Sequence, residues 1–285
     1  MSKHVTEVAI GLPVYNGGDS LGNAIETLVS QTYRDFVLII SDNCSTDQTE
    51  SICREYAKND SRIVYIRQPE NIGAERNFAF VLDQADSEYF LWAASDDYRS
   101  PDFIDVNLRF LKENPDFVSS ISPSRFENGN FDEIEMGDKS LSGDVEDRFI
   151  QFFGYWHANS RFYGLSRREV ILKAFKNRQA FLGSDWAIML ECCLSGKLNR
   201  CEQGWMVRGA NGASNQKNIF KIYHKHWHEI FFPLSKLTAA VFQMTSGFSP
   251  RSRATLAWRL IQLNLDAVRV RRQLSRSSKQ LGLNP

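Results

Sequence analysis

The sequence lacks the patterns that mark several common classes of protein. Its five cysteines include no CxxC spacing, which argues against a zinc site or a disulfide framework and favours reduced thiols. No apolar run reaches the roughly 20 residues that a membrane-spanning helix needs. Residues 1–6 contain no apolar core of a signal peptide, so we expect a cytoplasmic location.

Two nucleotide-binding motifs are also absent. The turn after the first predicted strand is not GxGxxG, which argues against a dinucleotide fingerprint. No GxxxxGK[ST] sequence is present, which argues against a P-loop. Since a sheet of alternating strands and helices could host either site, these absences narrow the candidate functions.

The first 122 residues alternate between short apolar runs and helical patterns. The predicted strands are Val5–Leu12, Phe36–Ile40, Ile63–Ile66, Tyr89–Ala93 and Phe117–Ser120. Helices are predicted to begin near Asp19 and Ser20, at Ser45 in a capping box with Gln48, at Ala74, and at Ser100 as a cap. This alternation predicts an α/β fold with a mostly parallel central sheet and helices on both faces.

The alternation breaks after Ser122. Pro123–Gly143 is predicted to be an irregular loop, and Arg161–Ser166 a strand. Ser166 and Glu169 fit a capping box that opens a further helix. Later helices are predicted over Ser184–Leu194, Ile219–Met244 and Ser252–Leu274.

The chain divides by pattern into three segments. Residues 1–122 form an α/β half, residues 123–215 form a second half of the same domain, and residues 216–285 form a basic helical extension. From Trp205 onward there are 13 of the 34 Lys and Arg but only 2 of the 34 Asp and Glu, which leaves 21 basic and 32 acidic residues before it. A basic amphipathic tail is typical of contact with an anionic membrane, so we expect peripheral association at the inner membrane surface. An oligomer interface and a solvated helical cap are the alternatives.

Two adjacent carboxylates, Asp96 and Asp97, directly follow the fourth predicted strand. In open α/β sheets, ligands bind at the carboxyl ends of the strands. A carboxylate pair there can hold a divalent cation or act as acid and base.

Other polar residues are predicted to gather at the same edge. Tyr15 can lie against a nucleotide base, and Asp42 or Asn43 can hydrogen-bond its edge. Arg76 can reach a phosphate or the base. Since two phosphates in a site without a basic cluster call for a divalent cation, the edge suits a nucleoside diphosphate.

Five stretches resemble, in order, the motifs of family 2 inverting glycosyltransferases with the GT-A fold. They are Val8–Asn16, Ser30–Phe36, Asp42–Thr49, Asn71–Asn77 and Ser95–Asp97. The resemblance covers roughly the first 120 residues. It implies a GT-A fold, and the helical patterns predicted after residue 216 add a C-terminal helical extension.

The resemblance also implies a role for each matching residue. Donor-binding residues would be Pro13, Tyr15, Asp42 and Asn43 at the base, Arg76 at the nucleotide, and Asp96 at the ribose or sugar phosphate. Asp97 would be the ligand of Mn2+ or Mg2+, and Asp185 matches the place of the catalytic base. The sequence departs from the family at Ala94, where many members have the first Asp of the metal motif. It also departs at Ser184, where Glu is common, and at Asn43, which replaces an acid.

An aromatic and polar segment supplies candidate acceptor contacts. Trp156, His157 and Asn159 lie within it, and sugar acceptors commonly stack on aromatic rings and bind polar side chains. A seam of aromatic residues between two parts of the fold is the alternative interpretation.

The predicted function is metal-dependent, inverting transfer of a hexose from a nucleotide diphosphate, with a UDP-sugar favoured, to a glycan or lipid-linked acceptor. No nucleic-acid partner is expected. One alternative is a catalytically silent nucleotide- or glycan-binding module, which Ala94 and Ser184 favour. Another is a nucleotidyltransferase, which would usually carry a lysine in its glycine-rich loop, whereas Gly17–Gly18 has none nearby.

Overall fold

The computed structural model describes residues 6–175, 181–209, 223 and 226–280, with residues 228 and 273–280 described by their backbone alone. The strands are β1 Val8–Val14, β2 Phe36–Asp42, β3 Ile63–Arg67, β4 Tyr89–Trp92, β5 Tyr98–Arg99, β6 Phe117–Ile121, β7 Ser124–Phe126, β8 Leu165–Arg167, β9 Lys197–Arg200 and β10 Met206–Arg208. The helices are α1 Gly18–Val29, α2 Thr49–Asn59, α3 Ala74–Gln84, α4 Phe103–Glu113, α5 Glu133–Met136, α6 Val145–Phe152, α7 Arg168–Phe175, α8 Ser184–Ser195, α9 Ser235–Met244 and α10 Pro250–Gln280, with 3-10 turns at Ser160–Tyr163 and Trp227–Ile230.

Seven strands form the central sheet in the order β3-β2-β1-β4-β8-β6-β9. Strand β8 lies antiparallel between β4 and β6, and the other neighbouring pairs are parallel. The prediction of a mostly parallel central sheet is therefore confirmed. A smaller sheet has the order β5-β10-β7, with β10 antiparallel to β5 and parallel to β7.

Strand β1 is buried on both sides, as expected for a strand covered by helices on both faces. Val8 and Ile10 pack in one apolar cluster with residues of α1 and α4, whereas Ala9 packs in a second cluster with residues of α3, α7 and α8. A Cβ added at Gly11 would lie 2.6 Å from Cγ2 of Val81 in α3. The missing side chain at this position therefore lets α3 approach the sheet closely.

Several predicted helix caps are wrong. Helix α1 begins at Gly18, before Asp19 and Ser20, and has no side-chain cap. Two serines that were predicted to cap later helices bond elsewhere. Ser45 Oγ accepts the Asn16 backbone N–H at 2.9 Å, and α2 begins later without a side-chain cap. Ser100 Oγ accepts the Trp205 backbone N–H at 2.9 Å, and α4 likewise begins later. In both cases an N–H from a distant part of the chain occupies the hydroxyl that the local pattern assigned to a helix.

The segment after β6 is more regular than predicted at one point and less regular at another. Pro123–Gly143 contains β7 and α5, although it was predicted to be an irregular loop. Arg161–Ser166 begins as a 3-10 turn and becomes strand only in β8. Ser166 Oγ donates to Ser119 Oγ at 3.0 Å in the sheet rather than capping α7.

The C-terminal part ends in two helices. Part of the helix predicted over Ile219–Met244 lies outside the described residues, and its described part contains the second 3-10 turn, Pro233 and α9. The helix predicted over Ser252–Leu274 is confirmed as the longer α10. Within the described part of the chain, no helix combines the length and apolarity needed to cross a membrane.

Candidate active site

The turns that follow β1, β2 and β4 meet at one edge of the central sheet. Strands β1 and β2 pair in parallel and end at the same level. The Asn16 N–H donates to Ser45 Oγ, which joins the first two turns. Gly17 lies so near the turn after β4 that an added Cβ would be 3.0 Å from Cβ of Ser95. The edge predicted from the strand ends therefore exists as one continuous surface.

Two of the predicted donor-binding residues are accessible at this edge. Tyr15 is 50% exposed and directly follows β1. Arg76 is exposed in the first turn of α3. Pro13, by contrast, is buried within β1 opposite Ser41 of β2. Tyr15 and Arg76 can therefore contact a ligand directly, while Pro13 supports the turn that presents Tyr15.

Asp42 and Asn43 are buried and hydrogen-bonded within the protein. Asp42 Oδ2 accepts from Arg67 Nη1 at 2.7 Å and from the Tyr65 hydroxyl at 2.9 Å. Asn43 Nδ2 donates to Asn71 Oδ1 at 2.9 Å, and its Oδ1 accepts a backbone N–H of the same loop. These bonds shape the turn after β2, and the role of the two residues in donor binding stays a prediction.

The carboxylates that follow β4 are both buried. Asp97 Oδ1 accepts the Gly209 N–H at 3.2 Å, whereas Oδ2 is buried and has no hydrogen-bond partner within the described part of the chain. Burial raises the pKa of Asp97; the positive charges of Arg208 and Arg99 oppose this rise, and the charge of Asp96 adds to it. Leaving a buried carboxylate oxygen without a donor or cation is costly. Oδ2 of Asp97 is therefore well suited to bind a cation.

Arg208 at the end of β10 is a site residue that the sequence prediction missed. Its Nη1 donates to the Ala158 carbonyl at 2.7 Å, and its guanidinium lies 4.9 Å from the centre of the Tyr163 ring. Burial raises the pKa of Asp97 and of Asp185, and the charge of Arg208 opposes the rise at both carboxyls. Arg208 thus lies near the candidate metal ligand and the candidate base. The only signal in the sequence was an arginine followed by glycine after the short apolar run Trp205–Val207.

Asp185 lies partly buried in the first turn of α8. Asn159 Nδ2 donates to Asp185 Oδ2 at 3.0 Å. Burial raises the pKa of Asp185, and the hydrogen bond from Asn159 opposes that rise. A carboxylate whose pKa is raised in a partly buried site is suited to accept a proton near neutral pH.

The three candidate acceptor residues occupy different environments. Trp156 is 43% exposed, so a sugar can stack on it. His157 is buried, and burial lowers its pKa to about 3, with the charge of Arg161 adding to this effect. The His157 ring stacks on Trp186 with centroids 4.1 Å apart, and its Nδ1 accepts the Asn159 N–H at 3.0 Å. His157 therefore positions Asn159, which in turn contacts Asp185.

The Asp97 carboxylate can bind a cation, but it needs further ligands to hold one. The described residues contain no cluster of three His, Cys, Asp or Glu side chains that could hold a metal ion by themselves. Mn2+ and Mg2+ prefer oxygen ligands, which a bound diphosphate can add. Because the charges of Arg208 and Arg99 act on Asp97, they weaken its attraction for a free cation. We therefore expect cation and donor to bind together.

A family model described as glycosyl transferase family 2 matches residues 9–175, more than half of the chain. The chain belongs to this family. It is similar to the poly(ribitol-phosphate) beta-glucosyltransferase of Bacillus spizizenii, with 34% identity over 113 residues that cover 38% of this chain and 18% of that protein. The chain spans less than half the length of the curated relatives it matches.

Two solved structures share the fold at low sequence identity. S. aureus TarS 1–349 in complex with UDP-GlcNAc has a TM-score of 0.61 and 14% identity, covering 97% of this chain and 92% of that one. The mannosyltransferase PcManGT from Pyrobaculum calidifontis, in complex with GDP-Man and Mn2+, has a TM-score of 0.55 and 14% identity, covering 94% and 87%. Together with the family match, they confirm the predicted GT-A fold.

Proposed function

We propose that this chain is a metal-dependent, inverting hexosyltransferase whose donor is a nucleotide-diphosphate sugar, with a UDP-sugar favoured. The observation that carries the proposal is the position of Arg208 and Gly209. The Gly209 N–H donates to Asp97 Oδ1 at 3.2 Å, and Arg208 Nη1 donates to the Ala158 carbonyl at 2.7 Å. Ala158 immediately precedes Asn159, whose amide donates to Asp185. The candidate metal ligand and the candidate base thus belong to one site at the edge where the polar turns meet. Family membership supports transfer of a sugar. The UDP-GlcNAc bound to TarS supports a UDP-sugar donor, and the Mn2+ bound to PcManGT supports a divalent cation.

In this proposal Asp185 removes the proton of the acceptor hydroxyl while that oxygen attacks the anomeric carbon from the side opposite the leaving group. A single in-line displacement of this kind inverts the anomeric configuration. Asn159 holds the carboxylate through the hydrogen bond to Oδ2. Asp97 would hold Mn2+ or Mg2+, which would offset the negative charge on the departing nucleotide diphosphate.

The donor would lie along the turns after β1 and β2. Tyr15 would stack against the base, Arg76 would contact the nucleotide, and Asp96 would bind the ribose or the sugar phosphate. Asp42 and Asn43, in the buried turn next to Tyr15, would set the shape that the base meets. The two exposed side chains among these residues are the ones best placed to choose between bases.

The acceptor would be a glycan or a lipid-linked glycan, with the chain in peripheral contact with an anionic membrane. Helix α10 exposes Trp258, Ile261 and Leu265 by 60%, 44% and 54%. Their spacing of i, i+3 and i+7 places them on one helix face, and the same helix is rich in arginine. Apolar side chains beside basic ones suit the interface of an anionic bilayer.

A donor panel tests the proposal. Thermal unfolding is measured with UDP-Glc, UDP-GlcNAc, UDP-Gal and GDP-Man, each with and without Mn2+, alongside release of free nucleotide. The correct donor should raise the melting temperature most, because ligand that binds only the folded state stabilises it. Asp97→Asn should lose the part of this shift that depends on Mn2+. Asp185→Asn should keep the shift and lower turnover by about 10²–10⁴-fold.

Asp83→Asn on the exposed side of α3 is the matched control, since it removes the same charge away from the site. Near-normal turnover in Asp185→Asn would contradict its assignment as the base. If no donor stabilises the wild-type protein, the proposed function is wrong. Tight donor binding with no turnover for any donor or acceptor would instead identify a silent binding module.

A further inference from the structure

A second carboxylate contacts the residue that precedes the candidate base, although it comes from a helix distant in sequence. Glu75 is partly buried in the first turn of α3. Ser184 Oγ donates to Glu75 Oε1 at 3.4 Å, across 109 residues of sequence. Ser184 immediately precedes Asp185 in the first turn of α8. The N-terminal turns of α3 and α8 thus meet through this hydrogen bond, which places Glu75 against the residue next to Asp185.

The surroundings of Glu75 are those of a site rather than of an open surface. Burial raises the pKa of Glu75, and the hydrogen bond from Ser184 opposes this rise. Burial also raises the pKa of the Tyr223 phenol, and the charges of both Glu75 and Asp185 add to that rise. The phenol of Tyr223 therefore lies near both carboxylates. The geometric link between the two helix starts is the hydrogen bond from Ser184 Oγ to Glu75 Oε1.

We propose that Glu75 is a specificity-determining residue that binds the acceptor through a hydroxyl next to the one that Asp185 deprotonates. This inference rests on the proposed transferase function. A carboxylate accepts strong hydrogen bonds from sugar hydroxyls. Two neighbouring hydroxyls on one sugar ring can therefore be held by two carboxylates from different helices. Many members of the family have a Glu at the position of Ser184 in the first turn of α8. In this arrangement Glu75 of α3 takes the place of that acid.

The same pair of charges limits which acceptors can react. A phosphate group next to the reacting hydroxyl would face two carboxylates in a partly buried site, where like charges repel strongly. The reacting end of the acceptor is therefore a neutral sugar unit carrying adjacent hydroxyls. Phosphate groups elsewhere in a longer acceptor are compatible with this arrangement.

The test moves the carboxylate from one helix to the other. Glu75→Ala, Glu75→Gln, Ser184→Glu and the double variant Glu75→Ala/Ser184→Glu are compared with wild type. Acceptor probes are methyl glycosides of glucose and N-acetylglucosamine, and their counterparts phosphorylated on a ring hydroxyl. UDP-GlcNAc is the donor, or whichever donor the panel selects. The kinetic constants kcat and KM are measured for acceptor and donor separately, and the melting temperature checks folding.

Glu75→Ala and Glu75→Gln should each raise the acceptor KM by about tenfold or more, because a hydrogen bond to a charged group is lost. The donor KM and the thermal shift caused by donor should stay near wild type. The double variant should restore an acceptor KM close to that of wild type. Only Glu75→Ala and Glu75→Gln, which lack the acid, should accept the phosphorylated glycosides more readily than wild type does. Glu55→Ala, an exposed acid on α2, is the matched control.

An unchanged acceptor KM in folded Glu75→Ala would overturn the inference while leaving the transferase proposal intact. The same holds if the KM values for donor and acceptor rise together and Ser184→Glu restores neither, because Glu75 would then only support the fold. If wild type turns over no donor with any acceptor, the proposed function fails, and this inference fails with it.

Discussion

Asp185 is subject to opposing influences, and their balance sets the pH at which it can accept a proton. Burial raises its pKa, whereas the hydrogen bond from Asn159 and the charge of Arg208 favour the ionised form. Asn159 itself is held by His157, which stays neutral because burial lowers its pKa to about 3. The proton affinity of the candidate base therefore depends on residues that never touch the acceptor proton.

Removing the Asn159 amide should shift the pH dependence of turnover. A carboxylate base works only when ionised, so activity is lost as the pH falls through its pKa. Without the hydrogen bond the pKa of Asp185 rises further, and this loss should begin at a higher pH. Measuring kcat from pH 5 to 9 checks the direction. Because Asn159 has a positive φ of 52°, both Asn159→Gly and Asn159→Ala are needed.

The two variants distinguish a change in the pKa of Asp185 from the effect of backbone strain at residue 159. Glycine adopts positive φ freely, whereas alanine there costs about 1–2 kcal/mol. Both should shift the pH profile equally, and only Asn159→Ala should also lower the melting temperature through strain. An unshifted profile in Asn159→Gly would mean that Asn159 does not tune the base.

Some residues of the candidate site could be predicted from the sequence, and others could not. Asp97 could be placed because it follows a strand, and the end of a parallel strand fixes which edge its side chain approaches. Arg208 and Glu75 could not be placed. Their contacts with the site cross between separate elements, and no periodic pattern encodes such a meeting. Asp185 was placed only through a resemblance to known motifs.

The strands and helices likewise divide into those that the sequence predicts and those that it does not. The five strands predicted in the first 122 residues are confirmed because each apolar run is bounded by polar turn residues and alternates with a helical pattern. The starts of α2 and α4 were misplaced because Ser45 and Ser100 bond distant backbone N–H groups instead. The antiparallel insertion of β8 was not predicted either. Its three residues, Leu165–Arg167, are too short to carry a period.

The 3-10 turn after Asn159 packs against the central sheet through an aromatic stack. The rings of Trp92 in β4 and Phe162 lie 4.5 Å apart between centroids and are nearly parallel, at 2°. Phe162→Ala should lower the free energy of unfolding by about 3–5 kcal/mol, since a large buried side chain is lost. Urea unfolding measures the change.

A control at an exposed phenylalanine makes this test specific. Phe131 is 47% exposed, so Phe131→Ala should cost less than about 1 kcal/mol. Equal losses in the two variants would show that Phe162 contributes no more to stability than an exposed phenylalanine does. A loss in Phe162→Ala accompanied by reduced turnover would further indicate that the stack holds Asn159 in place.

Across the whole molecule, net positive charge lies toward the C-terminus, where the described residues also include several exposed apolar side chains. If the face of α10 formed by Trp258, Ile261 and Leu265 contacts a membrane, the protein should float with vesicles containing phosphatidylglycerol and less with pure phosphatidylcholine. Added salt should weaken the effect, because the Debye length falls to about 3 Å at 1 M. Replacing all three residues by serine should abolish flotation.

Val64 and Ile134 are exposed by 44% and 46% and lie outside α10. Their joint replacement by serine removes exposed apolar surface elsewhere on the protein and should leave flotation unchanged. A wild-type protein that stays unbound to anionic vesicles at low salt would rule out the membrane contact and favour an oligomer interface or a solvated helix.

Strand β8 also constrains the order in which the chain can assemble. Strand β6 pairs with β8 and β9, both of which follow it in sequence, and β4 is separated from β6 by β8. On a growing chain, β4 therefore presents a bare edge, and β6 has no neighbouring strand, until residue 167 has been synthesised. Such unpaired edges promote association between chains. A cut near residue 122, where the sequence pattern changes, would thus release two fragments with incomplete sheets rather than two exchangeable modules.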